Sequence, residues 1–349
     1  MNILVTGGAG YLGSVLVPKL LVRGHQVRVL DVGYFGVGHL RSVRCRFELI
    51  REDIRRFCDD RIACESIVSG MDCVIHLAAI SNDPSAELDP TLTDQVNFKA
   101  TQALTEAAKA KGIRFIFSSS CSVYGEGRGD VDEEGPVRPI TAYAHSKVNS
   151  DRFLSAIATS NWRPVVLRNG TLFGYSPRMR FDLVANIFAF TSTLYNEVRI
   201  FGDGQQWRPF LHVSDCARAF IHFAEAREHE HIIYNIAHEN LRVIDLVPVL
   251  KDINPRIRTS FLEMEDRDTR NYHVSTKRMV EAGFQPRVTV RLGVEEMVDA
   301  LATGLISDPE SIFYQNAKWM KQLSQFGETK HKEFVGLIET MAHMLPSRG

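Results

Sequence analysis

Residues 3–13 read Ile3-Leu4-Val5-Thr6-Gly7-Gly8-Ala9-Gly10-Tyr11-Leu12-Gly13, a short apolar run that breaks on glycines at 7, 10 and 13. Ser14–Val22 follows with helical spacing and closes at Arg23-Gly24. A strand, a glycine loop and a helix in that order let backbone N–H groups approach a pyrophosphate. The helix N-terminus adds partial positive charge. The next apolar run, Val27–Leu30, ends at Asp31, 18 residues after Gly13. A carboxylate there accepts hydrogen bonds from both hydroxyls of an adenosine ribose and repels a 2′-phosphate, so the expected cofactor is NAD rather than NADP. Gly7, Gly10, Tyr11, Leu12, Gly13 and Asp31 are the first expected cofactor contacts.

The same alternation continues outward. Cys73–Leu77, Arg114–Phe117 and Pro164–Leu167 are short apolar runs, and Thr91–Lys111 has helical spacing closed by Gly112. Buried strands alternating with helices predict an α/β fold: a Rossmann-type doubly wound parallel sheet with a smaller interleaved C-terminal substrate lobe. Residues 1–168 are expected to form the NAD-binding domain, with returning elements at about 199–235. Residues 169–198 and 236–307 are expected to form the substrate-binding lobe, and 308–349 a helical C-terminal extension carrying Phe313, Trp319, Met320 and Leu323 as apolar points. The 41 Lys+Arg and 42 Asp+Glu nearly cancel, so no bulk charge points to nucleic acid or an anionic membrane. The six cysteines include no CxxC pair, and no metal site is expected. No leader-like n-region precedes the glycine loop, and the Leu183–Tyr195 stretch is too short and too often interrupted to span a bilayer. A cytoplasmic protein with reduced thiols is expected.

Three further segments suit the same cofactor. Asp53-Ile54 follows a second apolar stretch and could reach the adenine. Leu77-Ala78-Ala79 ends a strand in small residues, as a close-passing backbone requires. Asn97, inside a helix, is placed to fix active-site backbone. The chemistry sits in Tyr143-Ala144-His145-Ser146-Lys147 and Ser118-Ser119-Ser120. Four residues apart on a helix, Tyr143 and Lys147 share a face. A phenol with a pKa near 10 is a weak base at neutral pH. A neighbouring ammonium and a cationic nicotinamide ring favour the phenolate, which then takes a proton from a sugar hydroxyl. Lys147 would also hold the nicotinamide ribose. Ser120, at a strand end, would relay the proton, with Ser118 beside the cofactor.

These residues together resemble the extended short-chain dehydrogenase/reductases, in particular the NAD-dependent sugar-nucleotide epimerase/dehydratase family. Supporting matches are His76-Leu77-Ala78-Ala79, Val123-Tyr124-Gly125 and Gly202-Asp203-Gly204-Gln205-Gln206-Trp207-Arg208-Pro209-Phe210-Leu211-His212-Val213-Ser214-Asp215. The resemblance implies a nucleotide-sugar substrate, a homodimer, and transient oxidation of a sugar carbon by tightly held NAD. Dehydratases of the family carry acidic residues just after the position of Ser120, and decarboxylases keep a glutamate there. This chain has Cys121 and Ser122, which favours reversible hydride transfer alone, as in a C4 epimerase. A 3,5-type epimerase using Cys121 as an acid–base group is the alternative, although the family cysteine of such enzymes aligns with Ser122. A keto-sugar reductase and a non-catalytic NAD-binding sensor are further alternatives. Substrate contacts implied by the resemblance or by position are Ser81, Thr171, Arg180, Arg208 and Arg270. Thr171 stands where the family has asparagine, and Glu265 where it has an arginine.

Overall fold

The computed structural model describes residues 1–263 and 270–326. Seven parallel strands form the central sheet: β1 (Asn2–Thr6), β2 (Gln26–Leu30), β3 (Glu48–Ile50), β4 (Cys73–His76), β5 (Arg114–Ser120), β6 (Val165–Asn169) and β7 (Ile233–Ile236). Their order is β7-β6-β5-β4-β1-β2-β3. The central strands are apolar on both faces: Ile3, Leu4, Val5, Val74, Ile75, Phe115 and Ile116 are all fully buried. That is the pattern a parallel sheet covered on both sides demands. Thr6 pairs with Leu30 on one side and His76 on the other. The carboxyl ends of β1, β2 and β4 therefore stand level where the strand order reverses, the place at which doubly wound sheets open a crevice.

Helix α1 (Gly13–Val22) follows the glycine loop and packs beside Val213–Glu225. The segment expected as one helix over 91–111 is broken by a π turn at Gln95–Lys99, between Pro90–Asp94 and Ala100–Ala110. Asn97 lies in that turn. A π turn shifts one side chain relative to the regular helical face, and periodicity in sequence does not reveal it.

The smaller lobe is built from three short sheets. Trp207–His212 pairs with Thr171–Phe173 and Glu239–Arg242; Glu197–Phe201 pairs with Arg258–Leu262; and Glu126–Val131 pairs with Asn271–Val274. Of the stretch 199–235 expected to rejoin the main sheet, only β7 adds a strand to it. Glu197–Phe201 and Trp207–His212 pair within the small sheets instead. Of the extension expected at 308–349, the helix Asn316–Phe326 is described, and residues 327–349 lie outside the described residues, as does Glu265. No described helix is long and apolar enough to cross a membrane.

Candidate active site

The glycine loop is shaped by how closely it packs. Gly7 has φ +70°, and a Cβ there would stand 2.7 Å from the Ala78 backbone nitrogen. At Gly13 a Cβ would come 2.4 Å from the Gly7 carbonyl oxygen. Both positions therefore exclude a side chain for steric reasons. Asp31 anchors the loop from the end of β2: its carboxylate accepts from the Ala9 N–H at 2.9 Å and the Gly33 N–H at 2.8 Å. Burial raises its pKa, against the pull of those two N–H groups. Tyr11 is buried, and its hydroxyl donates to the Gly174 carbonyl at 2.6 Å, tying the loop to the smaller lobe.

A cavity of about 1300 Å³ runs from this loop to the smaller lobe, above the usual range of a small-ligand pocket. Its walls include Gly7, Gly10, Tyr11, Leu12, Gly13, Asp31, Asp53, Ile54, Leu77, Ala78, Ala79, Ser118, Ser120, Tyr143 and Lys147, and further along Ser81, Thr171, Arg180, Arg208 and Arg270. A glycine-rich loop at a helix N-terminus and a carboxylate at the end of β2 fit an adenine dinucleotide.

Tyr143 and Lys147 lie on the helix Ala142–Ile157, capped by the Thr141 hydroxyl accepting from the Ala144 N–H. The Lys147 ammonium donates to the Ser118 carbonyl at 2.8 Å and sits 5.6 Å from the centre of the Tyr143 ring. Burial pulls its pKa down to about 8. The Tyr143 hydroxyl pairs with Ser120. Sequence reasoning expects a lowered phenol pKa, but burial pushes it up to about 12, with the Asp83 charge adding; the Ser120 hydrogen bond and the Arg180 charge oppose the rise. Desolvation outweighs these local partners in the protein alone. A further positive charge is needed to bring the phenolate within reach of neutral pH.

The wall beyond Tyr143 is dense in paired charge. Arg180 is buried and holds Asp182 through both Nε (2.9 Å) and Nη2 (2.8 Å), with Nη1 3.3 Å from the Ser81 hydroxyl. Arg270 pairs with Asp83, whose other oxygen accepts from the Thr141 hydroxyl. Arg208 donates to the carbonyls of Trp207 and Arg270. Asn82 adopts φ +88°, uncommon for a residue with a side chain, and bonds both the Ser85 N–H and Asp182.

Two of the expected site residues lie off the cavity wall. Asn97 does not line the cavity. Its amide brackets Ile80, accepting from the N–H at 2.8 Å and donating to the carbonyl at 3.1 Å, so it fixes the backbone beyond β4. Cys121 is the larger correction. Ser120 and Ser122 line the cavity, whereas Cys121 between them turns into a cluster with Val123, Tyr124 and Tyr272. Its thiol approaches the Arg168 carbonyl at 3.2 Å, and burial raises its pKa strongly. A sequestered thiol of that kind cannot exchange protons with a ligand in the cavity. Cys121→Ala is expected to leave turnover within about twofold while costing about 1 kcal/mol of stability for the lost burial; steady-state rates and thermal melts check it. Sequence reasoning did not single out Asp83, Asp182, Tyr272 or Asn316, all of which line the cavity. Asp83 lies two residues after the expected contact Ser81 and Asp182 two after Arg180, but Asn316 carries no local signal.

Residues 3–237 match the model of the family described as "NAD dependent epimerase/dehydratase family". The UDP-glucuronic acid decarboxylase 1 of Arabidopsis thaliana is 29% identical over 329 residues, which is 89% of this chain and 72% of its own. The dTDP-glucose 4,6-dehydratase of Streptomyces niveus is 31% identical over 324 residues, 86% and 92% of the two chains. Among solved structures, the UDP-glucuronic acid 4-epimerase of Bacillus cereus, in complex with UDP-glucuronic acid and NAD, superposes with a TM-score of 0.75. It is 27% identical, over 87% of this chain and 99% of its own.

Proposed function

The chain belongs to the NAD-dependent epimerase/dehydratase family, and from that premise we propose that it inverts C4 of a nucleotide sugar through a transient 4-keto intermediate. NAD, when bound, supplies the hydride acceptor for oxidation and the donor for reduction. Tyr143 Oη takes the proton from the C4 hydroxyl and later returns it. Ser120 holds that hydroxyl in line, and Lys147 favours the phenolate and grips the nicotinamide ribose. The cavity leaves the keto-sugar room to turn before it is reduced on its other face.

One observation supports epimerisation over the dehydration and decarboxylation of relatives: among the described residues, the proton-transfer corner offers no unengaged carboxylic acid. Ser120, Cys121 and Ser122 occupy the strand end, and Asp83 and Asp182 are each held by an arginine. Elimination of a hydroxyl needs an acid placed to protonate it. We assign residues 1–168 with β7 to the cofactor, 169–198 and 236–307 to the substrate, and a homodimer to the assembly, which light scattering tests.

Incubation with UDP-, GDP-, dTDP- and CDP-sugars in D₂O, followed by NMR of the products, tests the reaction. A C4 epimer without carbon-bound deuterium is the expected result. Deuterium at C3 or C5, or a dehydrated or decarboxylated product, overturns it.

Two variants probe the proposed roles. Asp31→Asn keeps one acceptor but loses the charge, so NAD affinity should fall about 10-fold, as for a hydrogen bond to a charged group, while discrimination against NADP narrows. Binding titrations with both cofactors measure this. Lys147→Met removes an ammonium that burial disfavours. It should abolish turnover yet raise the stability of the cofactor-free chain by about 1–3 kcal/mol, seen as a higher Tm.

A further inference from the structure

The helix Asn316–Phe326 lies beyond the residues that match the family model, yet it lines the cavity through Asn316, Ala317, Lys318 and Met320. It ties down three loops that follow different strands. Trp319 Nε1 donates to the Tyr34 carbonyl at 2.6 Å, beyond β2. Asn316 Nδ2 donates to the Ser81 hydroxyl at 3.3 Å, beyond β4. Asn316 Oδ1 accepts from Arg178 Nη2 at 2.6 Å, in the loop after Thr171–Phe173.

Arg178 is the unusual member of this set. Only 4% exposed, it lines the same cavity as the glycine loop, with its guanidinium 3.8 Å over the Phe35 ring. Nη1 reaches the Met179 carbonyl at 3.3 Å, and Nε has no hydrogen-bond partner. Burial draws its pKa down to about 9. The carboxylates whose charge it feels are occupied: Asp31 by two backbone N–H groups, Asp182 by Arg180. A desolvated guanidinium with a donor left over is costly unless an anion completes it. The anionic part of NAD is its pyrophosphate, and guanidinium suits phosphate oxygens.

We propose that Arg178, held by Asn316, donates to the pyrophosphate of NAD, and that the helix 316–326 is a strap that retains the cofactor between turnovers. This rests on NAD dependence and not on which sugar carbon reacts.

The test uses the full chain depleted of cofactor, titrated with NAD, ADP-ribose and adenosine. Arg178→Met should weaken NAD and ADP-ribose about 10- to 100-fold, the range for a charged hydrogen bond, and leave adenosine within twofold because adenosine has no pyrophosphate. Equal weakening of all three ligands, or of none, overturns the pyrophosphate role. If Arg178→Met does not fold, Arg178→Lys keeps the charge, loses the fork, and carries the same comparison. For the strap, Trp319→Ala and Asn316→Ala should release isotopically labelled NAD into excess unlabelled NAD at least fivefold faster than the wild type. Unchanged release rates overturn it.

Discussion

Tyr143→Phe is expected to lower kcat by about 100- to 10,000-fold, the range for losing a positioned general base, while NAD stays bound. The substitution removes one oxygen and leaves the ring, so the packing against Lys147 is kept. What disappears is the group that accepts the sugar proton. The pH dependence follows with a definite sign. The working form is the phenolate, so activity falls as pH falls through the Tyr143 pKa of the enzyme–NAD complex. In the protein alone burial holds that value up at about 12. The acid limb of the wild-type profile must therefore lie well below 12 if the cationic nicotinamide ring supplies the missing stabilisation. Rate measurements from pH 6 to 10 on both proteins decide the matter. A Phe variant that keeps near-wild-type rate would remove Tyr143 from the role of base.

Gly7→Ala should be strongly damaging for a single added methyl group. The backbone there is at φ +70°, where an L side chain costs about 1–2 kcal/mol. The added Cβ would also stand 2.7 and 2.8 Å from the nitrogen and Cα of Ala78. Neither backbone can yield without moving β1 against β4, and overpacking of that kind costs about 1–3 kcal/mol more. Together these amount to about 2–5 kcal/mol, a large share of a typical domain's stability. The expected result is a Tm lowered by several degrees and protein isolated without NAD. Thermal melting and the nucleotide content of purified protein measure both. Normal NAD content at an unchanged Tm would show that the loop adapts.

Most of the half around the glycine loop was legible in the sequence because its signals are local. The run Ile3–Thr6, the glycines at 7, 10 and 13, and Asp31 lie within one strand–loop–helix–strand unit, where backbone geometry follows from residue type. The Tyr143–Lys147 spacing reads directly as one helix face. Less was legible where side-chain direction matters: Ser120, Cys121 and Ser122 are adjacent in sequence, yet only the serines reach the cavity. The strand ends at Ser120 and a 3-10 turn begins at Cys121, so side-chain direction there follows neither strand nor α-helix spacing and depends on what packs against the turn. The π turn that carries Asn97 has no signal in the spacing, although the backbone-fixing role of its amide at Ile80 was expected.

By itself the sequence determined the parallel α/β architecture, the glycine loop between β1 and α1, and the placing of Tyr143 and Lys147 on one helix, since their signals lie a few residues apart. Tertiary structure alone decided the charge state and the closure of the site. Arg270 meets Asp83 across 187 positions and Arg178 meets Asn316 across 138. Ionisation energies are set by burial and by charges brought from distant segments, so the raised Tyr143, the lowered Lys147 and the sealed-off Cys121 exist only once the chain has folded around them.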